Sequence, residues 1–145
     1  MSERSRHARG VLDTSTLILI ERLDPAALPA EPLITAVTLA ELSVGPLVVA
    51  DEHERAARQS RLQQAESDFD PLPFDAGAAR AFGRVAASLR RSGRKTTARS
   101  YEAMIAATAL AHDIPVYTCN PSDFAGIDDL QVVAVAVPPP PPGSP

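Results

Sequence analysis

Short apolar runs alternate along this chain with longer segments of helical periodicity, and most of the runs stop at a polar residue or turn. Gly10-Val11-Leu12 ends at Asp13, Leu33-Ile34 leads into Thr35, Leu72 to Phe74 precedes Asp75, and Pro115 to Thr118 runs towards Asn120. Gln131 to Val137 closes the series. Apolar runs this short, bounded by turn residues, read as strands. Strands separated by helices pair in parallel, because bringing the chain back to the same end of a sheet takes a crossover connection. The fold class this predicts is α/β, a three-layer α/β/α sandwich built on a short central parallel sheet with helices on both faces.

The segments between the runs carry helix signals. Thr14-Ser15-Thr16 offers capping hydroxyls to a helix over Leu17 to Leu23, and Pro29 and Pro32 bound the loop after it. Thr35 to Ser43 carries Val37, Leu39, Ala40 and Leu42 and closes at Gly45-Pro46. Asp51 to Asp68 is long, charged and thin in apolar residues, which predicts a solvent-facing helix or helical pair. Asp75 caps a helix through Ala81, Phe82, Val85, Ala86 and Leu89, ended by Ser92-Gly93. Thr97 to His112 is a further helix, with Ala98, Met104, Ile105, Thr108 and Ala109 at helical spacing. No internal repeat is visible.

Length and composition fit one domain: 145 residues, 45% of them hydrophobic, suffice to bury a core. The expected layout is a flexible leader over 1–9, a folded catalytic domain over 10–137 and a disordered proline-rich tail over 138–145. Aromatics make up 4% and Trp is absent, so the core must come from Ala, Leu, Val and Ile, which argues against base stacking on an aromatic platform. Cys119 is the only cysteine, which excludes an intrachain disulfide and a cysteine zinc cluster. No apolar stretch reaches the length of a membrane span, and the leader lacks the apolar centre of a signal peptide, so a cytoplasmic location is expected. A net charge of −4 argues against coating nucleic acid non-specifically, though not against gripping a few phosphates. Arg90, Arg91, Arg94, Lys95 and Arg99 fall within ten positions, and Arg suits bidentate phosphate contacts.

Four acids, Asp13, Glu41, Glu102 and Asp123, stand at the ends of these runs or on otherwise apolar helices. Ligands of an open α/β sheet bind beyond the carboxyl ends of the strands, where Asp13 and the Asn120 to Asp123 turn both fall. Glu41 follows the second strand closely, and Glu102 lies in the first turn of its helix on the face shared by Ile105, Ala106 and Ala109. Gathered without a cation, each like-charged pair at about 4 Å would cost about 4 kcal/mol at an effective dielectric near 20. A divalent ion removes that cost, and all-oxygen donors point to Mg²⁺ or Mn²⁺. Singly, Asp13 and Asp123 also read as turn formers and Glu102 as an acid at a helix N-terminus. Glu41, set between Leu39-Ala40 and Leu42, is the hardest to place otherwise. His7, His53 and His112 lie outside these segments, which leaves metal-free acid–base catalysis by a histidine pair poorly supported.

Val11-Leu12-Asp13-Thr14-Ser15, Thr38-Leu39-Ala40-Glu41-Leu42, Glu102 to Ala109, and Tyr117-Thr118-Cys119-Asn120-Pro121-Ser122-Asp123-Phe124 together resemble a PIN domain. More narrowly, they are similar to VapC-type toxins of bacterial type II toxin-antitoxin systems, in family order from about Gly10 to Val135. The resemblance implies a Mg²⁺- or Mn²⁺-dependent endoribonuclease in which Asp13, Glu41, Glu102 and Asp123 are the catalytic and metal-holding acids. Asp13 and Glu102 match the positions that usually ligate the metal directly, and Thr14, Ser15, Thr118 and Asn120 match polar positions that line the site. Arg94, Lys95 and Arg99 are candidates to guide the RNA backbone. A small antitoxin and a second copy of the chain are the implied partners. Two departures stand out: Glu102 where the family usually has Asp, and Cys119 where a basic residue is common. An Asp-nucleophile phosphatase would carry a second Asp two residues on, where this chain has Ser15, and a receiver domain needs a late Lys that is missing after Lys95. The non-enzymatic alternative is a degenerate PIN module that only binds a partner protein, a reading opposed by retention of all four acids.

Overall fold

The computed structural model describes residues 7–140 and 142–143. Within them, four parallel strands, β1 (Arg9–Leu12), β2 (Glu31–Leu33), β3 (Val116–Thr118) and β4 (Val132–Ala134), form one sheet in the order β2-β1-β3-β4. Among the described residues, five α-helices surround it: α1 (Thr14–Ile18), α2 (Ala36–Val44), α3 (Glu52–Asp68), α4 (Ala76–Arg91) and α5 (Ser100–Ala111). This is the expected three-layer α/β/α arrangement.

The two central strands show why both faces must be covered. Side chains alternate along a strand, and Val11 and Val116 enter one core with Ala81, Val85 and Leu89 of α4 and Ile105 of α5. Their neighbours Leu12 and Tyr117 enter a second core with Leu17 of α1, Leu42 of α2 and Ala65 of α3. Every residue from Val11 to Leu12 and from Val116 to Thr118 is therefore buried, which makes the strands continuous apolar runs instead of alternating ones. Alanine dominates α5, where Ala103, Ala106, Ala107 and Ala109 are all buried, and this lets the helix sit close to α4 and the sheet.

Several boundaries differ from the sequence expectation, each for a local reason. The helix expected over Leu17 to Leu23 begins at Thr14, because Asp13 itself is the cap: its side chain accepts the Thr16 N–H at 3.3 Å. The rest of that segment is a 3-10 turn, Ile20–Arg22. Pro32, expected in a loop, lies in β2, an edge strand where a missing N–H is tolerated. Leu72 to Phe74 is no strand: Leu72 alone bridges to Thr35, since Pro71 and Pro73 deny the ladder a donor on either side. The segment from Thr96 to Arg99 is a 3-10 turn that leads into α5. The last strand is shorter than Gln131 to Val137. Most of the expected leader and part of the expected tail lie outside the described residues; the backbone of His7 and Ala8 already accepts bonds from Ala30 and Glu31.

Gly10 sets the spacing between β1 and β3. A Cβ there would meet the Tyr117 ring at 2.6 Å and Pro29 at 3.1 Å. Tyr117 is buried, so Gly10→Ala forces a ring or strand displacement and is expected to destabilise the fold by about 1–3 kcal/mol, the usual cost of overpacking. Urea denaturation measures this; an unchanged midpoint would mean that Tyr117 swings aside freely.

Candidate active site

Asp13 leaves the end of β1 as a buried carboxylate, 4% exposed. Three donors hold it: the Thr118 hydroxyl at 2.9 Å, the Thr16 N–H at 3.3 Å and the Ser15 hydroxyl at 3.4 Å. Ser15 in turn accepts from the Asn120 amide at 3.1 Å, and Thr118 accepts the Asn120 N–H at 2.9 Å. The first turn of α1 and the loop after β3 are thus tied together through one acid. Thr118, expected to line the site, is fully buried and supports Asp13 from behind.

Glu41 projects from α2 and is half-buried. The Thr14 hydroxyl donates to it and also lies 3.0 Å from the Thr38 hydroxyl. A hydroxyl has one proton, so Thr38 is the donor in the second bond. Thr38 was not among the sequence candidates; its position one turn before Glu41 on the same helix face is the signal that would have found it. Glu102 lies in the first turn of α5, and Asp123 lies on a 3-10 turn, Pro121–Phe124, that follows β3. The Arg99 guanidinium pairs with Asp123 at 2.6 Å. Arg94 reaches the same turn through the Ser122 carbonyl at 3.3 Å, while Lys95 is exposed in the segment between α4 and α5.

A cleft of about 260 Å³ gathers all four acids, with Thr14, Ser15 and Asn120 between them and Ile18 and Ile105 as apolar wall. A larger hollow of about 420 Å³ brings Leu17, Ile20 and Phe69 together with Glu21, Arg61 and Asp68 on the α1 and α3 side. It lacks a comparable convergence of acids, so chemistry decides for the smaller cleft. Cys119 packs against the second core and donates its N–H to the Thr16 hydroxyl at 2.9 Å, a structural placement.

Burial raises the Glu41 pKa above its ordinary value; the Thr14 hydrogen bond opposes this, and the nearby charges of Glu102 and Asp13 reinforce it. A carboxyl with a raised folded pKa keeps its proton when the unfolded chain has lost it. Stability of the metal-free protein therefore falls as pH rises from the ordinary Glu range through the raised value. Glu41→Gln removes that liability and is expected to raise the melting temperature in EDTA at neutral pH while flattening its pH dependence. Scanning calorimetry at acid and neutral pH checks this, and a lower neutral-pH melting temperature in the variant would contradict it.

The PIN domain family matches residues 10–130. Ribonuclease VapC5 of Mycobacterium tuberculosis is 40% identical over 131 residues, covering 88% of this chain and 94% of that protein. Ribonuclease VapC of Rickettsia bellii is 30% identical over 129 residues, covering 86% and 95%. Among solved structures, the crystal structure of a member of the VapBC family of toxin-antitoxin systems, VapBC-5, from Mycobacterium tuberculosis superposes with a TM-score of 0.78 at 40% identity. That match covers 88% of this chain and 99% of the other. A parallel four-stranded sheet, four acids on one cleft at its carboxyl end and these relatives lead to one assignment: the chain belongs to the PIN-domain family, in its VapC branch.

Proposed function

We propose that this chain is an RNA-cleaving hydrolase, the toxin of a toxin-antitoxin pair, and that it acts with a divalent ion held in the acidic cleft. The observation that carries the proposal is the convergence of Asp13, Glu41, Glu102 and Asp123 on one cleft of a chain 40% identical to a ribonuclease VapC.

The donor set fits Mg²⁺ or Mn²⁺: every candidate ligand is a hard oxygen, and the Asp13 and Glu102 charges act on Glu41 strongly enough to help raise its pKa. Among the described residues no three acidic or histidine side chains are already drawn tightly enough to grip an ion. Asp13, Glu41 and Glu102 would hold the ion, which when bound polarises the scissile phosphate and makes water a better nucleophile. The remaining work belongs to the chain. Thr118 and Thr16 fix the Asp13 carboxylate, Thr14 and Thr38 aim Glu41, and Ser15 and Asn120 present polar groups at the mouth. Arg94, Lys95 and Arg99 line the approach for an RNA backbone.

A small antitoxin is the protein partner, a homodimer the working assembly and the cytoplasm the working location. Among the described residues no helix is long and apolar enough to cross a membrane. The test is cleavage of total bacterial RNA by the purified, antitoxin-free chain with Mg²⁺ or Mn²⁺ against EDTA. Discrete fragments that require the metal are expected; cleavage that persists in EDTA would overturn the metal-dependent mechanism.

A further inference from the structure

Asp123 is set apart from the other three acids of the cleft. Arg99 Nη1 lies 2.6 Å from Asp123 Oδ1, and the two side chains are only 34% and 30% exposed. Among the described residues, Asp13, Glu41 and Glu102 have no ion pair; Asp13 and Glu41 are held by hydroxyl and amide donors instead. The pair is built into the backbone on both sides. Arg99 ends the 3-10 turn that feeds α5, three residues before Glu102. Asp123 is followed by Phe124, whose 2% exposure pins the turn to the core, and Arg94 adds a second tie to the Ser122 carbonyl.

Resting on the metal-dependent reading above, we infer that Arg99 supplies the positive charge for the Asp123 side of the cleft, so that the site takes a single divalent ion on Asp13, Glu41 and Glu102. A second dication seeking Asp123 must displace the guanidinium or sit beside it. At equal distance a +2 and a +1 charge repel twice as strongly as two unit charges. A guanidinium is also always charged and presents several donors in a planar fork, so it can hold Asp123 and still face a phosphate.

Isothermal titration calorimetry with Mn²⁺ on the full chain tests this through binding alone, with melting curves confirming that each variant is folded. One ion per chain is expected for the wild type and for Asp123→Asn, with affinities within about threefold, whereas Asp13→Asn is expected to lose about tenfold or more. Arg99→Gln should expose Asp123 and admit a second, weaker ion, which the Arg99→Gln and Asp123→Asn double variant should lose again. Arg99→Lys keeps the charge and should stay at one ion, which separates a charge effect from damage to the turn. Two ions on the wild type, one of them lost in Asp123→Asn, would overturn the inference while leaving the metal-dependent reading intact. No Mn²⁺ uptake by the wild type would remove that reading and the inference with it.

Discussion

Asp13→Asn is expected to lower RNA cleavage by more than about 100-fold, the upper end of what losing a partner outside the metal's direct ligands costs, while the protein melts close to the wild type. The two halves of that expectation come from different atoms of one residue. A neutral amide is a poor ligand for a hard dication, so the metal side of the site fails. Asn nonetheless caps a helix about as well as Asp: its oxygen still accepts from Thr16, and its amide, standing where the second carboxylate oxygen was, donates to the Thr118 hydroxyl in place of accepting from it. Asp13→Ala separates the roles: losing the cap costs about 0.5–2 kcal/mol, and orphaning the buried Thr118 hydroxyl costs about 1–3 kcal/mol. Cleavage assays run beside melting curves for both variants decide the matter. Wild-type cleavage by Asp13→Asn would sink a mechanism based on carboxylate-held metal.

Phe124→Ala is expected to cost about 3–5 kcal/mol, the usual range for emptying a buried aromatic site. Phe124 is among the largest fully buried side chains and belongs to the core that α4 and α5 form with the sheet. It is also the neighbour of Asp123, so the same substitution loosens the turn that carries the Arg99 pair. Urea denaturation gives the first effect. Leu47→Ala is the control: Leu47 is 83% exposed, and its loss should stay within about 0.5 kcal/mol. A Phe124→Ala cost no larger than that of the control would show that the cavity closes by collapse of α5 onto the sheet.

The sheet was legible from Val11, Leu12, Val116 and Tyr117 because burial on both faces leaves an apolar run with no polar interruption. Helix starts were less so. Asp13 acts at once as strand end, helix cap and site acid, and the hydroxyls of Thr14, Ser15 and Thr16 drew the capping role away from it. Leu72 to Phe74 was placed as a strand, but the prolines on either side of Leu72 outweighed that placement once a ladder was required. Within the site, the four acids were visible because charges on apolar elements are conspicuous. Of their hydroxyl partners, Thr14, Ser15 and Thr118 came only through the family resemblance, and Thr38 was missed, since a buried Thr38 looks like any other Thr. Alternation along β3 would have placed Thr118 on the same face as Val116, pointing inward. The Arg99–Asp123 pair joins positions 24 apart on separate elements, and no local pattern encodes such a meeting.

The bond from Thr118 to Asp13 spans 105 residues, and β1 has β3 as its inner neighbour. Contacts so distant in sequence form late, after the loop between them has closed. A nascent chain that has passed Glu102 already carries three of the four acids, yet Asp13 has only its local donors Thr16 and Ser15 until the third strand brings Thr118. Termination upstream of Thr118 therefore leaves a product without the hydroxyl that fixes Asp13 and without Asp123, so the cleft is expected to assemble only when translation is nearly complete.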